Sequence, residues 1–372
     1  MQIGVVKEIK DQEYRVALTP TGAAALAQTG HSVVLEAGAG LGAGYADTAY
    51  QATGAQIVST AAAWASDLVL KVKEPLATEY AYFQGQMLFT YLHLAGVSPA
   101  LTDALLRTHV TAVAYETVQD HAGRLPLLAP MSAVAGTMAA LVGASYLAKY
   151  TGGKGILLGA VLGQPHGQVV VIGDGVVGQH AARAAAGLGA QVTLLGRRPE
   201  RTLPWLGDLA TQIQYQQSSP ETIAPCLTAA DLVIGAVLIP GAKAPYVVTE
   251  AMVQGMQPGS VIVDVSIDQG GCIETSRPTS HSHPVYERHG VLHYCVTNMP
   301  GAYPRTSTVA LTTATLPYVL RLANEGLAAV QQDAGFLQGV HTYQGAITLQ
   351  PVAEALGLMA HYQPLAAMLP SL

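Results

Sequence analysis

Short apolar runs recur along this chain between longer alanine-rich stretches, the alternation expected of a parallel sheet covered by helices. In the first third, Gln2–Val6, Ser32–Glu36, Leu68–Lys73, Gln86–Tyr91 and Thr111–Tyr115 read as strands. Thr19 and Pro20 mark a helix start, a capping hydroxyl followed by a residue whose fixed φ suits the first helical turn; Gly30 marks its end. Ser132–Lys149 is a long alanine-rich helical stretch. Gly152–Gln168, rich in Gly and Pro, reads as a linker. Further strands follow at Val169–Ile172, Gln191–Leu195, Asp231–Val237, Ser260–Val265 and Val291–Cys295. Thr308–Asn324 is a second long helical stretch, with Pro317 predicting a kink. The tail after Gly326 is too short for a domain and is expected to return to the first one.

The order of these elements predicts an α/β fold with one domain inserted into another. The outer, substrate-binding domain takes residues 1–130 and 306–372; the inner, dinucleotide-binding domain takes residues 131–305. The two long helices are expected to form the hinge, and the cleft between domains the active site.

The dinucleotide assignment rests on VVVIGDGVVGQHAARAAAGLG, residues 169–189. Gly173, Gly175 and Gly178 give G-x-G-x-x-G with a strand before it, a helix after it and a second strand following. The first glycine permits a tight turn, the second lets a pyrophosphate approach the backbone, and the third brings helix and strand together. A lone motif is weak in a chain with 39 glycines; the complete βαβ setting makes it specific. An NAD site usually has Asp or Glu at the end of the second strand, for the adenosine ribose. Here Gly196 stands at that place, followed by Arg197 and Arg198. Two guanidiniums and no carboxylate argue that a 2′-phosphate, and hence NADP, is accepted and even preferred. The alternative is a solvated basic turn before Pro199. Asp174, inside the motif, is an oddity: a carboxylate near a pyrophosphate should not help binding.

Composition narrows the partners. The chain is half hydrophobic and only 11% charged, as buried parallel strands require, and leaves apolar surface for packing between subunits. A net charge of -6 without a basic run argues against nucleic acid. No apolar stretch reaches the ~18 residues of a membrane span, and MQIGVVKEIK reads as a first strand rather than a signal peptide. Cys226, Cys272 and Cys295 have no metal spacing, and their odd number suits a reducing cytoplasm.

Several polar residues sit where an α/β sheet presents its ligand crevice, just past strand ends. Arg15 and Lys73 are two cations suited to a small carboxylate, although each alone reads as well as a surface ion pair. His93 follows an apolar strand and is either a satisfied core histidine or a general acid/base. Asp268 lies beyond a strand end before Gly270 and Gly271, with Asp264 as a competitor on the same strand. His281, His283, His289 and His293 lie across a polar loop and a strand with Pro284 among them, an arrangement that argues against a metal.

Taken together, GVVKEIKDQEYRVALTP, EAGAGLGAGYAD, LKVKEPL, LFTYLHLA, AYETV, LPLLAPMS, the glycine motif, DLVIGAVLIPGAKAP, GSVIVDVSIDQGGCIETSRPTSH and NMPGAYPRTST resemble alanine dehydrogenases, nearly end to end and in order. The chain also resembles the α subunit of proton-translocating transhydrogenase in fold, but that protein lacks the His of YLHLA and the IDQGG segment. The resemblance implies two Rossmann-like doubly wound domains, usually assembled as a hexamer. It implies reversible oxidative deamination of L-alanine to pyruvate and ammonium with NAD(P). It implies that Arg15 and Lys73 bind the substrate carboxylate, that His93 exchanges a proton with the substrate oxygen, and that Asp268 assists attack on the central carbon. Ser132, Gly173, Gly175, Val176, Val177, Gly178, Val237, Leu238 and Asn298 would contact the cofactor. The chain departs from the family at MSAVAGT, where Ala133 and Thr137 replace a charge pair, and at Gly196. Two rival readings are a non-catalytic NAD(P)-binding subunit and a dehydrogenase for another small amino acid.

Overall fold

The structure, a computed structural model, describes residues 1–239 and 244–369. The chain divides into two compact units, Met1–Met131 joined by Gly301–Leu372, and Ser132–Pro300.

The first unit is built on an eight-stranded sheet. Its spatial order is Gln56–Val58, Ser32–Glu36, Gln2–Val5, Leu68–Leu70, Met87–Thr90, Thr111–Ala114, Val340–Tyr343 and Ala346–Ile347. The first six are parallel, and the last two come from the C-terminal part of the chain, Val340–Tyr343 pairing antiparallel with Thr111–Ala114 and Ala346–Ile347 antiparallel with Val340–Tyr343. In order of appearance those six read 3-2-1-4-5-6, the doubly wound arrangement, with its switch point between Gln2–Val5 and Leu68–Leu70. Ile3, Leu68, Val69, Leu70, Leu88 and Phe89 are wholly buried, which is why these strands show no polar alternation. The helix Pro20–Gln28 starts as its sequence requires: the Thr19 hydroxyl accepts from the Gly22 N–H at 3.2 Å.

The second unit repeats the plan. Its seven-stranded sheet runs Ile213–Gln217, Gln191–Gly196, Gln168–Ile172, Leu232–Gly235, Val261–Asp264, Val291–Tyr294 and Val285–Arg288, with only the last strand antiparallel. The switch point lies between Gln168–Ile172 and Leu232–Gly235. Helix Val176–Gly187 buries Gly178, Ala181, Ala182, Ala185 and Ala186. That one face, spaced 3 and 4 residues apart and made only of small residues, lets the helix lie close on the sheet.

The α/β class and doubly wound sheets are therefore as expected, and the differences are local. Gly152–Gln168 is not simply a linker: Gly159–Val161 and Gln164–His166 pair as an antiparallel hairpin. Leu68–Lys73 stops as a strand at Leu70, because the following backbone turns to meet a buried carboxylate. The two long helices are Ala129–Tyr146 and Pro304–Glu325, the latter continuous through Pro317. Strands Gln56–Val58, Ile213–Gln217, Val285–Arg288 and the C-terminal pair went without a sequence signal, being short, polar or at sheet edges.

Candidate active site

In the first unit, four neighbouring strands, two of them bordering the switch point, deliver polar residues from their C-terminal ends. Arg15 follows Gln2–Val5, Lys73 follows Leu68–Leu70, His93 follows Met87–Thr90, and Glu116 follows Thr111–Ala114. This is the crevice where ligands bind in an open α/β sheet.

Arg15 is 2% exposed and has one edge taken. Its Nε donates to Glu13 Oε1 at 2.7 Å and its Nη2 to Glu13 Oε2 at 2.5 Å, while Nη1 reaches Met131 Sδ at 3.0 Å. Burial works against the guanidinium charge, and the Glu13 carboxylate outweighs it, so the pKa is raised and Arg15 stays cationic.

Lys73 is held by its backbone. Glu8, buried, accepts from the Val72 N–H at 2.6 Å and the Lys73 N–H at 3.4 Å, and its other oxygen takes the Lys71 ammonium at 2.8 Å. Thr90 donates to the Lys73 carbonyl at 2.9 Å and Tyr115 to the Lys71 carbonyl at 3.0 Å. Lys71 also pairs with Glu79 at 3.2 Å. Lys73 also forms the ion pair with Glu74 that its sequence allowed, at 3.9 Å, and Lys10 binds the same carboxylate at 2.5 Å. Glu74 Oε2 is buried without a hydrogen-bond partner.

His93 is not a satisfied core histidine. Its side chain is 34% exposed, and its backbone is left-handed at φ 48°. The buried carboxylate of Glu116 imposes that turn, accepting from the Leu92 N–H at 3.2 Å and the His93 N–H at 2.7 Å. The ring lies parallel to Tyr91, centroids 5.6 Å apart, with Nδ1 3.9 Å from Glu116. Tyr91 is anchored by its hydroxyl, which donates to the Leu127 carbonyl at 2.6 Å. Behind Glu116, His341 is buried and bonded through Nε2 to Thr117 at 2.8 Å. Burial would raise the Glu116 pKa, but the neighbouring His93 and His341 and the His93 N–H hold it below the usual carboxylate range. A cavity of about 230 Å³ lies beside Glu8, Glu13 and Arg15; it does not extend to Lys73 or His93.

The second unit carries the glycine loop at its switch point. Gly173 has φ 114°, and a Cβ there would meet the Ala236 carbonyl; a Cβ on Gly178 would overlap the Gly173 carbonyl. A Cβ on Gly175 would meet nothing within 4 Å. Two glycines thus close the turn and the third leaves the backbone open, the cradle a pyrophosphate needs. Gly175 caps helix Val176–Gly187 without a side chain, so the N–H groups of Val176 and Val177 face that opening with no internal acceptor. The long helix Ala129–Tyr146 also closes on the loop. A Cβ on Gly136 would overlap the Val177 carbonyl, and Ser132 lies one turn before it on the same face. Val237 and Leu238 follow strand Leu232–Gly235, and a Cβ on Gly173 would stand 3.1 Å from the Val237 nitrogen. Residues 240–243 of DLVIGAVLIPGAKAP lie outside the described residues.

Contrary to the expectation at Gly196, the place above that residue is filled. A carboxylate does stand at the end of strand Gln191–Gly196, and it belongs to Asp174. Its Oδ2 accepts from the Arg198 N–H at 2.7 Å, the Tyr215 hydroxyl at 3.1 Å and the Thr202 hydroxyl at 3.3 Å. Arg197 and Arg198 are exposed.

Asp268 lies exposed in the turn Val265–Gln269 after strand Val261–Asp264. Its Oδ1 accepts from the N–H of Asn298, itself left-handed at φ 61°. The competitor Asp264 is spent on structure: fully buried, it accepts from the N–H groups of Ser266, Cys272 and Ile273 at 3.0, 3.0 and 3.3 Å. His293 is buried between Thr275 and the Val291 carbonyl, and His281 reaches the Asn298 carbonyl at 3.3 Å. Among the described residues, no group of three or more His, Cys, Asp or Glu side chains is placed to hold a metal. No helix among them is long and apolar enough to cross a membrane.

Sequence reasoning named Arg15, Lys73, His93 and Asp268 but gave no role to Glu8, Glu13, Lys71 or Glu116. The signal for Glu13 and Lys71 was present, as each stands two residues from a named cation. Glu8 and Glu116 become visible only when strands far apart in sequence are paired.

Comparison with known proteins shows the family. Residues 4–135 match the family profile "Alanine dehydrogenase/PNT, N-terminal domain", and residues 139–350 match "Alanine dehydrogenase/PNT, C-terminal domain". Alanine dehydrogenase from Bacillus subtilis (strain 168) is 54% identical over 363 residues, covering 96% of this chain and 95% of its own. Alanine dehydrogenase from Methanococcus maripaludis is 51% identical, covering 95% and 96%. A solved L-alanine dehydrogenase superposes with a TM-score of 0.91 at 47% identity, covering 96% of this chain and 99% of its own. The transhydrogenase structure from Sinorhizobium meliloti gives 0.80 at 25% identity, covering 93% and 100%.

Proposed function

The chain belongs to the alanine dehydrogenase/PNT family, and on that premise we propose that it catalyses the reversible oxidative deamination of L-alanine. L-alanine, water and NAD(P)⁺ are converted to pyruvate, ammonium, NAD(P)H and a proton. The single observation that carries the reading is the convergence of Arg15, Lys73 and His93 at strand ends around one switch point, in a chain that also holds a complete glycine cradle.

The nicotinamide, when bound, supplies the hydride acceptor. The chain supplies the rest. The Arg15 guanidinium and the Lys73 ammonium hold the substrate carboxylate. His93 gives and takes the proton at the substrate oxygen, which needs a group that titrates near neutral pH. Asp268 assists water or ammonia in attacking the central carbon. Ser132, Gly173, Gly175, Val176, Val177, Gly178, Val237, Leu238 and Asn298 line the cofactor. At its adenosine end, the sequence Gly196–Arg197–Arg198 argues for NADP, and the Asp174 carboxylate at the same place argues against it. The reading includes a homo-oligomer, a hexamer on the family pattern, working in the cytoplasm.

The test is the purified chain with pyruvate, ammonium and NADH or NADPH. Oxidation of the reduced dinucleotide only when both other reactants are present supports the reading. Binding of dinucleotide without turnover would make the chain a non-catalytic subunit, and faster turnover with a larger 2-oxo acid would change the substrate.

A further inference from the structure

A dinucleotide fold that prefers NAD places a carboxylate at the end of its second strand, where it binds the ribose hydroxyls and repels a 2′-phosphate. This chain has glycine there, and the space above that glycine is filled. A Cβ on Gly196 would overlap the Asp174 carboxyl group and stand 2.5 Å from the Asp174 Cβ. The carboxylate comes instead from the glycine turn after strand Gln168–Ile172, one strand over. Its three hydrogen bonds all fall on Oδ2, from the Arg198 N–H, the Thr202 hydroxyl and the Tyr215 hydroxyl. The Arg198 N–H and the Thr202 hydroxyl belong to the N-cap and first turn of helix Pro199–Leu206 and the Tyr215 hydroxyl to strand Ile213–Gln217, so two elements hold the group, and among the described residues no hydrogen bond falls on Oδ1. The Tyr215 phenol keeps its proton for that bond, its pKa pushed up to about 12 by burial and then by Asp174 itself. Asp174 is half-buried, whereas Arg197 and Arg198 are exposed.

We propose that Asp174 is the adenosine-ribose ligand of this chain and makes it select NAD over NADP, with Gly196 as the vacancy that admits it. The proposal rests on the reading of the second unit as the dinucleotide site, and it deepens that reading. Oδ1 accepts from a ribose hydroxyl. A 2′-phosphate at the same place meets a fixed anion that already holds the local backbone and hydroxyl donors. The two arginines, exposed to water, offset little of that repulsion. Gly196 and Asp174 are then one device: a side chain at 196 would exclude the carboxylate at 174.

The experiment measures binding without substrate. NADH and NADPH are titrated by nicotinamide fluorescence, and ADP-ribose and its 2′-phosphate by calorimetry, so the result does not depend on which amino acid the enzyme oxidises. The wild-type chain is expected to bind NADH at least tenfold tighter than NADPH. A charged hydrogen bond is worth about a tenfold to hundredfold change in affinity. Asp174→Asn keeps the size and one acceptor, and is expected to shrink the NADH-over-NADPH ratio by at least tenfold. Gly196→Asp alone has no room and should weaken both dinucleotides. Asp174→Ala with Gly196→Asp empties that room, returns the carboxylate to the strand end and restores the preference for NADH. Equal or tighter NADPH binding by the wild type, or an unchanged ratio in folded Asp174→Asn, overturns the proposal. Selective NADH binding without alanine turnover would sink the proposed reaction and leave this inference standing.

Discussion

The candidate catalytic groups are set less by their own side chains than by the carboxylates beside them. His93 adopts a left-handed backbone because Glu116 draws two consecutive N–H groups onto one carboxylate. The Arg15 guanidinium is oriented by Glu13, whose carboxylate takes both Nε and Nη2. Two predictions belong to this scale. General acid/base catalysis contributes about 10²–10⁴-fold, so His93→Ala and Asp268→Ala should each lower kcat at least on the order of 10²-fold in folded protein. Near-normal turnover in either purified variant removes that residue from the chemistry. Arg15→Lys keeps one charge but cannot hold Glu13 with one edge and a carboxylate with the other. The KM for pyruvate should therefore rise while NADH affinity stays put; equal weakening of both would assign Arg15 a structural role.

At the scale of elements, what the sequence made legible and what it hid follow from distance along the chain. The central strands were visible because each is an apolar run covered on both faces, and Ser32–Glu36 falls where the pattern places it. The glycine turn was visible because its strand, turn and helix are contiguous. The partners that tune these elements come from far away. Glu8 and Lys71 are 63 residues apart, Asp174 and Tyr215 are 41 apart, and no local pattern joins them. Hence Asp174 reads as an oddity in sequence and as a held carboxylate in the fold. Gly136 is another such case, a helix glycine whose absent side chain lets Ala129–Tyr146 close on Val177. A methyl there pushes helix and glycine loop apart, and overpacking of this kind costs ~1–3 kcal/mol. Gly136→Ala should lower the urea midpoint and weaken NADH binding in a fluorescence titration. If both stay at wild-type values, the loop does not depend on that contact.

Over the whole molecule, charge is scarce at 11% of residues, yet the first unit buries Glu8, Glu13, Arg15, Lys71, Lys73, Glu74 and Glu79. A sheet end so crowded with ions makes stability depend on pH, and the cleanest contribution comes from His341. Burial holds its pKa at about 4, with Glu116 pulling it up and His93 down. In the unfolded chain the imidazole takes a proton near ~6.5. Between those values the unfolded state binds the extra proton, so stability falls as pH drops through that window. Down to about pH 5 the loss is on the order of 2 kcal/mol. Glu116 acts in the same direction, its depressed pKa giving stability that is lost as pH falls through it. Glu8 and Glu79 act in the opposite sense, because burial, opposed by Lys71, leaves their carboxyl pKa values raised. The His341 part is therefore read by difference. Urea unfolding of wild type and His341→Gln, each at about pH 7.5 and about pH 5, should show the wild type losing more stability on acidification than the variant. Equal losses would mean that His341 gains its proton inside the folded protein, and that the carboxylates alone set the acid limit.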